Sequence, residues 1–215
     1  VGLPLVPHQY AGYLLNSSDR VVMDLLQVPT SRIGQYNFGY DFGNKAKIFA
    51  EGINKGYRPY LLKILSSDNP NRIFLFRKLT FLILGAMIFT SGIGCLWMKE
   101  VFYLLIDNEN TPLLEVYPLA IIVVMSFNFG PMYQSVSTFL TFNEKTNELW
   151  KLSFVAGIIN VISNLIFIPL YGIEAAAFTT MAAILYLGFR GLALKSFKEK
   201  CQINMFGFYW IVAIV

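Results

Sequence analysis

Two stretches of this chain place ionisable side chains inside otherwise apolar sequence of helical length. The first, 3–25, carries His8, Asn16, Ser17, Ser18, Asp19, Arg20 and Asp24. The second, 33–62, carries Asp41, Lys45, Lys47, Glu51, Lys55 and Arg58. Steps of three and four put Asn44, Lys47, Glu51, Lys55 and Arg58 on one helix face. His8, Gly12, Asn16, Asp19 and Arg20 form a second stripe. A charge at the centre of a bilayer costs from about 3 to over 10 kcal/mol. Such stripes must therefore face water, protein or each other. Across a hydrated cavity, Arg20, Lys47 and Lys55 would form a cationic wall, with Glu51 spaced to bridge Lys47 and Lys55. Arg meets phosphate oxygens as a bidentate fork and Lys supplies a point charge, so the wall suits phosphate or pyrophosphate. The alternative for 33–62 is an amphipathic helix outside the membrane with solvated charges.

His8 titrates near neutral pH and, with Asp19, is a candidate for coupling a transport cycle to protons. Each also has a structural reading: His8 as a packing residue within a bundle, Asp19 as the partner of Arg20 in a local ion pair. The two lie eleven residues apart, roughly 16 Å along one helix, too far for a direct acid–base couple. No catalytic residue is assigned on this basis. The two cysteines, Cys95 and Cys201, form no metal or redox spacing, and neither a metal site nor a cofactor is expected.

The elements that carry these stripes are membrane helices. Hydrophobic residues make up 55% of the 215 and charged residues 14%, against about 25% charged in a soluble domain. The stretches 79–98, 116–143 and 152–173 contain no Asp, Glu, Lys or Arg, and 175–189 is a fourth. Each of the first three has the roughly 20 residues needed to cross a bilayer. The pattern predicts six spans, at about 3–25, 33–62, 79–98, 116–141, 149–170 and 173–194, and a seventh starting at 205. Residues 1–200 are read as one transmembrane lobe, and 201–215 as the start of a further, truncated helix. A chain that begins at Val1 and ends within an apolar stretch is expected to be a fragment. A short interfacial helix is expected at 101–106. Trp97 and Trp150 suit the membrane interface.

The formal charge of +4 sets orientation rather than nucleic-acid binding. Eleven of the seventeen Lys and Arg residues fall at 58–78, 145–151 and 190–200, whereas the alternate connections hold only Arg32 and Lys99. The positive-inside rule places the first group on the cytoplasmic side.

Two segments carry a family resemblance. One is Gly2-Leu3-Pro4-Leu5-Val6-Pro7-His8, then Asn16-Ser17-Ser18-Asp19-Arg20, then Ile33-Gly34-Gln35-Tyr36-Asn37. The other is Asn160 and Asn164, then Ile168-Pro169-Leu170-Tyr171-Gly172-Ile173-Glu174-Ala175-Ala176-Ala177, with Thr179 and Thr180 following. In this order they resemble the second half of polysaccharide-unit flippases, the O-antigen and capsule flippases of the multidrug, oligosaccharidyl-lipid and polysaccharide exporter superfamily. Ala175 stands where a glycine is common, and keeps the position small. The resemblance implies an all-α fold: a polytopic helix bundle, one six-helix lobe of a two-lobe, MATE-like transporter. It implies alternating-access flipping of undecaprenyl-pyrophosphate-linked oligosaccharide units across the bacterial cytoplasmic membrane, without covalent chemistry. The implied partners are the lipid-linked oligosaccharide, membrane lipids and other polysaccharide-assembly proteins. Asn160, Asn164, Pro169 and Gly172 read as a structural hairpin motif. Arg20, Lys47, Glu51 and Lys55 remain the cavity candidates.

Two competing expectations stand beside this one. A multidrug or other small-molecule exporter of the same fold would favour acidic cavity residues if its cargo were cationic. A membrane-embedded transferase acting on polyprenyl-linked sugars would need a poised carboxylate or histidine.

Overall fold

The computed structural model describes residues 5–107 and 109–201, with side chains at 10, 12, 13 and from 15 onward. The expected helix from 205 lies outside the described residues. The described chain is helical, with connections of a few residues. In order, α1 spans Leu5–Leu25, α2 Thr30–Ser66, α3 Arg72–Leu96, α4 Met98–Leu105 and α5 Thr111–Leu114. Then come α6 (Tyr117–Ser126), a 3₁₀ turn at Phe127–Phe129, α7 (Gly130–Phe142), α8 (Asn147–Tyr171), α9 (Glu174–Leu192) and α10 (Lys195–Cys201).

Four helical segments have the length and apolarity to cross a membrane: Arg72–Leu96, Thr111–Phe142, Asn147–Tyr171 and Glu174–Leu192. They correspond to the third to sixth predicted spans. The first two predicted spans are helices too, but their polar stripes keep them out of that set. At 37 residues, α2 is about 55 Å long, well beyond a hydrocarbon core of roughly 30 Å. The interfacial helix expected at 101–106 is α4, which starts at Met98 and follows α3 after a kink at Trp97.

Connections are set by local chemistry. α1 and α7 both end in a Schellman arrangement, which uses the left-handed residue to satisfy carbonyls of the last turn. At α1 the N–H of Val28 donates to Met23 O (3.0 Å) and that of Gln27 to Asp24 O (2.9 Å), with Gln27 at φ 55°. At α7, Lys145 N–H donates to Leu140 O (2.8 Å) and Glu144 N–H to Thr141 O (3.1 Å), with Glu144 at φ 58°. Gly172 closes α8 at φ 81°, ψ −162°, a conformation open essentially to glycine alone. Its N–H reaches Ile168 O at 2.9 Å, and α9 begins two residues later. The Pro169–Ala177 segment is thus a tight α8–α9 hairpin tip. It sits a whole helix length from Lys145, as the predicted hairpin requires.

In the bundle, α1 packs chiefly against α8, α8 against α9, and α2 against α6 and α7, with α3 outside α2. α2 meets α6 through Gly39 and Gly43. A Cβ on Gly43 would stand 2.6 Å from Val123 Cγ1, and one on Gly39 would stand 3.2 Å from Val116 O. Only glycine lets the two helices come this close. At the bundle end that carries the 67–71 and 143–146 connections, Phe76, Phe139 and Phe197 pack edge to edge with ring centroids 5.2 to 6.5 Å apart. Aromatic pairs of this kind add about 0.5–1.5 kcal/mol each beyond area burial. They seal α10 onto the bundle, and Cys201, expected just outside the membrane, is buried there.

Candidate functional site

α1 and α2 run antiparallel from their shared turn, and the polar residues of the two stripes sort into two sites along them. Near the turn, Asp19 is wholly buried. Its carboxylate accepts from the Tyr36 hydroxyl of α2, from Asn164 Nδ2 of α8 (3.1 Å) and from Thr180 Oγ1 of α9 (3.2 Å). Asn160 lies 2.5 Å from Ser18 Oγ and 3.1 Å from Thr180 Oγ1. The amide orientation that satisfies its neighbours turns its nitrogen toward Asp19 Oδ1 at 3.3 Å. Thr179 donates to the Asn164 side-chain oxygen. Four helices therefore meet in one polar knot. Asn160 and Asn164 do so because the i, i+4 spacing stacks them on one face of α8. A buried polar group left without a partner costs roughly 1–3 kcal/mol, so each member depends on the others.

Arg20, the next residue on α1, turns the other way. Its Nε donates to Asn37 Oδ1 (2.6 Å), Nη1 donates to the Asn16 carbonyl (3.2 Å), and Nη2 pairs with Asp41 at 3.7 Å. The guanidinium also lies 4.7 Å from the Tyr40 ring centroid. The expected Asp19–Arg20 ion pair does not form. Arg20 is a clasp between α1 and α2 and is not among the residues that line the cleft described next.

Farther from the turn, the helices border a cleft of about 520 Å³. α1 contributes Gly12 and Asn16, and α2 contributes Lys47, Glu51, Asn54, Lys55 and Arg58. Ala50 of α2, Phe127 and Gly130 at the 3₁₀ break, and Tyr133, Gln134 and Ser153 also line it. The predicted face of α2 is thus brought together, three cations against one carboxylate. Lys47 Nζ donates to Asn16 Oδ1 (2.8 Å) and stands 5.6 Å from the Phe127 ring centroid. The expected bridging of Lys47 and Lys55 by Glu51 is not formed. Among the described residues the ion pairs are Arg20–Asp41 and the surface pair Lys195–Glu199. Lys55 and Arg58 stand without an anionic partner. Asn54 Oδ1, in the same lining, is shielded from solvent and unpaired.

Of the predicted site residues, Lys47, Glu51 and Lys55 share the cleft, Asp19 is sequestered in the knot, and Arg20 clasps α2. Arg58, which shares the predicted face of α2 but was not among the cavity candidates, joins the cleft. His8 lies outside the described side chains. Tyr36, Asn37 and Asp41 are the functional partners that sequence reasoning did not assign. Their signal was the i, i+4 spacing of Asn37 and Asp41 on α2, with Tyr36 beside Asn37, near the shared turn. The arrangement offers a polyanion several cationic donors at the edge of the apolar core. Asp19 is buried and is not among the residues that line the cleft. Compared with known proteins, the chain matches no family model, no curated protein and no solved structure.

Proposed function

We propose that this chain is one lobe of a membrane transporter that flips undecaprenyl-pyrophosphate-linked oligosaccharide units by alternating access. The observation that supports this reading is the cleft beside α2, where Lys47, Lys55 and Arg58 face a single carboxylate, Glu51. In this reading the cations hold the pyrophosphate and Glu51 weakens that hold, because release requires moderate binding. The cationic excess disfavours a cationic-drug exporter of similar architecture.

Asp19 serves as the coupling group. Protonating it would turn one acceptor oxygen into a donor. Its proton would compete with the donors of Tyr36, Asn164 and Thr180, so that a hydroxyl among them has to turn and accept, loosening α1 from α8 and α9. A proton, or a cation exchanging with it, would thus bias the angle between α1 and the rest of the bundle.

The test is charge reversal in the full-length protein, with surface glycan assembly measured at matched protein level. Lys47→Glu and Lys55→Glu should abolish export, whereas Lys195→Glu, in an exposed surface pair, should not. Full export by all three would refute the reading. The orientation is tested by single cysteines at Asn71 and Asn110: an impermeant thiol reagent should label Asn110→Cys in whole cells and spare Asn71→Cys.

A further inference from the structure

The cationic cleft shares a wall with a second cavity. Ala50 and Phe127 line both. The second cavity, about 180 Å³, lies between α2, α3 and α6, and its other walls include Ala46, Phe49, Met87 and Gly94. No charged residue lines it. Phe127 therefore borders an apolar pocket while Lys47 Nζ stands 5.6 Å from its ring in the cleft. The pocket reaches the outer face of the bundle, where Phe49 is 64% exposed. α3, its far wall, presents Phe89 and Ile93 outward, as a lipid-facing helix would.

We propose that this pocket receives the first segment of a hydrocarbon chain whose anionic headgroup sits in the cleft, so that a prenyl phosphate or pyrophosphate binds across Phe127. The inference rests on the transport reading of the cleft and adds where the tail goes. A headgroup held within the bundle stays attached to its chain. That chain cannot leave along the charged lining without stripping water from Lys55, Glu51 and Arg58, which is costly for unpaired charges. An apolar pocket that adjoins the cleft and opens toward lipid removes that cost. A larger apolar groove between α8 and α9, about 420 Å³ and lined by Phe167, Tyr171 and Phe178, shares no residue with the cleft. A chain lodged there would not be attached to a headgroup in the cleft.

The probe is a benzophenone-bearing geranyl pyrophosphate, photolysed with the full-length protein in phosphatidylcholine nanodiscs, with labelled peptides mapped by mass spectrometry. Labels should fall on residues 46–50 and 87–94. Geranylgeranyl pyrophosphate should compete and geranylgeraniol should not. Gly94→Leu adds a side chain where a Cβ meets nothing within 4 Å, so the fold tolerates it while the pocket fills. It should cut labelling at least about fivefold, on the scale of overpacking a fitted site. Inorganic pyrophosphate, which has no tail, should bind wild type and Gly94→Leu alike. Labels on the α8–α9 groove, equal competition by geranylgeraniol, or labelling insensitive to Gly94→Leu would each overturn the inference. If pyrophosphate binds and depends on Lys47 while the labels fall elsewhere, the tail site alone is wrong. If pyrophosphate does not bind wild type, the transport reading falls first.

Discussion

The knot around Asp19 and the cleft beside Lys47 are built on the same two helices, from similar residue types. They differ in how far their polar groups are satisfied. In the knot, side chains from α1, α2, α8 and α9 exhaust one another's hydrogen-bonding capacity in a space without solvent. In the cleft, among the described residues, Lys55 and Arg58 have no ion-pair partner, Asn54 Oδ1 has no hydrogen-bond donor, and Glu51 faces its lysines without pairing. Buried polar groups that satisfy one another hold a fold together. Charges that a fold gathers and leaves unpaired in a cavity are available to a ligand. The comparison also explains why Asp19 and Arg20, adjacent in sequence, diverge. About 100° separates successive residues on a helix, so one falls on the α8–α9 side and the other on the α2 side.

The comparison is most exposed at Asp19. Asp19→Leu strands the donors of Tyr36, Asn164 and Thr180, each at roughly 1–3 kcal/mol, and should abolish monodisperse folded protein in detergent size-exclusion chromatography. Asp19→Asn should fall between it and wild type. If Asp19→Leu melts like wild type, the knot does not hold the bundle. Gly43→Leu comes next, because its side chain would drive into Val123. A cost of about 1–3 kcal/mol or more is expected, partly restored by a second change, Val123→Ala. Gly56→Leu, on the open face of α2, should not lower stability in the same thermal assay and should gain up to about 1 kcal/mol, because a mid-helix glycine is replaced by a good helix former. The cleft sharpens the contrast in the opposite sense. Lys55→Gln should leave the melting temperature within about 0.5 kcal/mol equivalent while lowering pyrophosphate affinity measured by calorimetry. A large stability loss with unchanged affinity would make Lys55 structural. A gain in stability is expected outside both regions. Glu144 sits in the left-handed conformation at the end of α7, so Glu144→Gly should raise stability by up to about 1 kcal/mol.

Much of the bundle was legible in the sequence because charge-free runs of membrane length have few other uses. The runs at 79–98, 152–173 and 175–189 are helices, and the Gly172 turn joins the last two. The run at 116–143 was read as one span, and it lies within one membrane-length segment. What the hydropathy did not locate is the 3₁₀ turn at Phe127–Phe129, just before Gly130-Pro131, where proline cannot donate to the ladder. Asn128, buried at the turn, accepts from Ser91 at 2.8 Å. Phe127, at the same turn, borders the cleft. The Gly39–Gly43 contact was also overlooked. Glycines at this spacing are common, and only the position of α6 shows which pair is pressed.

By itself, then, the sequence determined the helices, their antiparallel alternation and the shared face of Lys47, Glu51, Lys55 and Arg58, because all of these follow from hydropathy and the 3.6-residue period. Only the tertiary structure decided that Asp19 is spent on Asn164 and Thr180, that Arg20 pairs with Asp41, and that Glu51 leaves its lysines free. Periodicity states which residues share a face of one helix. Which neighbour that face meets, and how closely, depends on packing between segments as distant in the chain as α1 and α9.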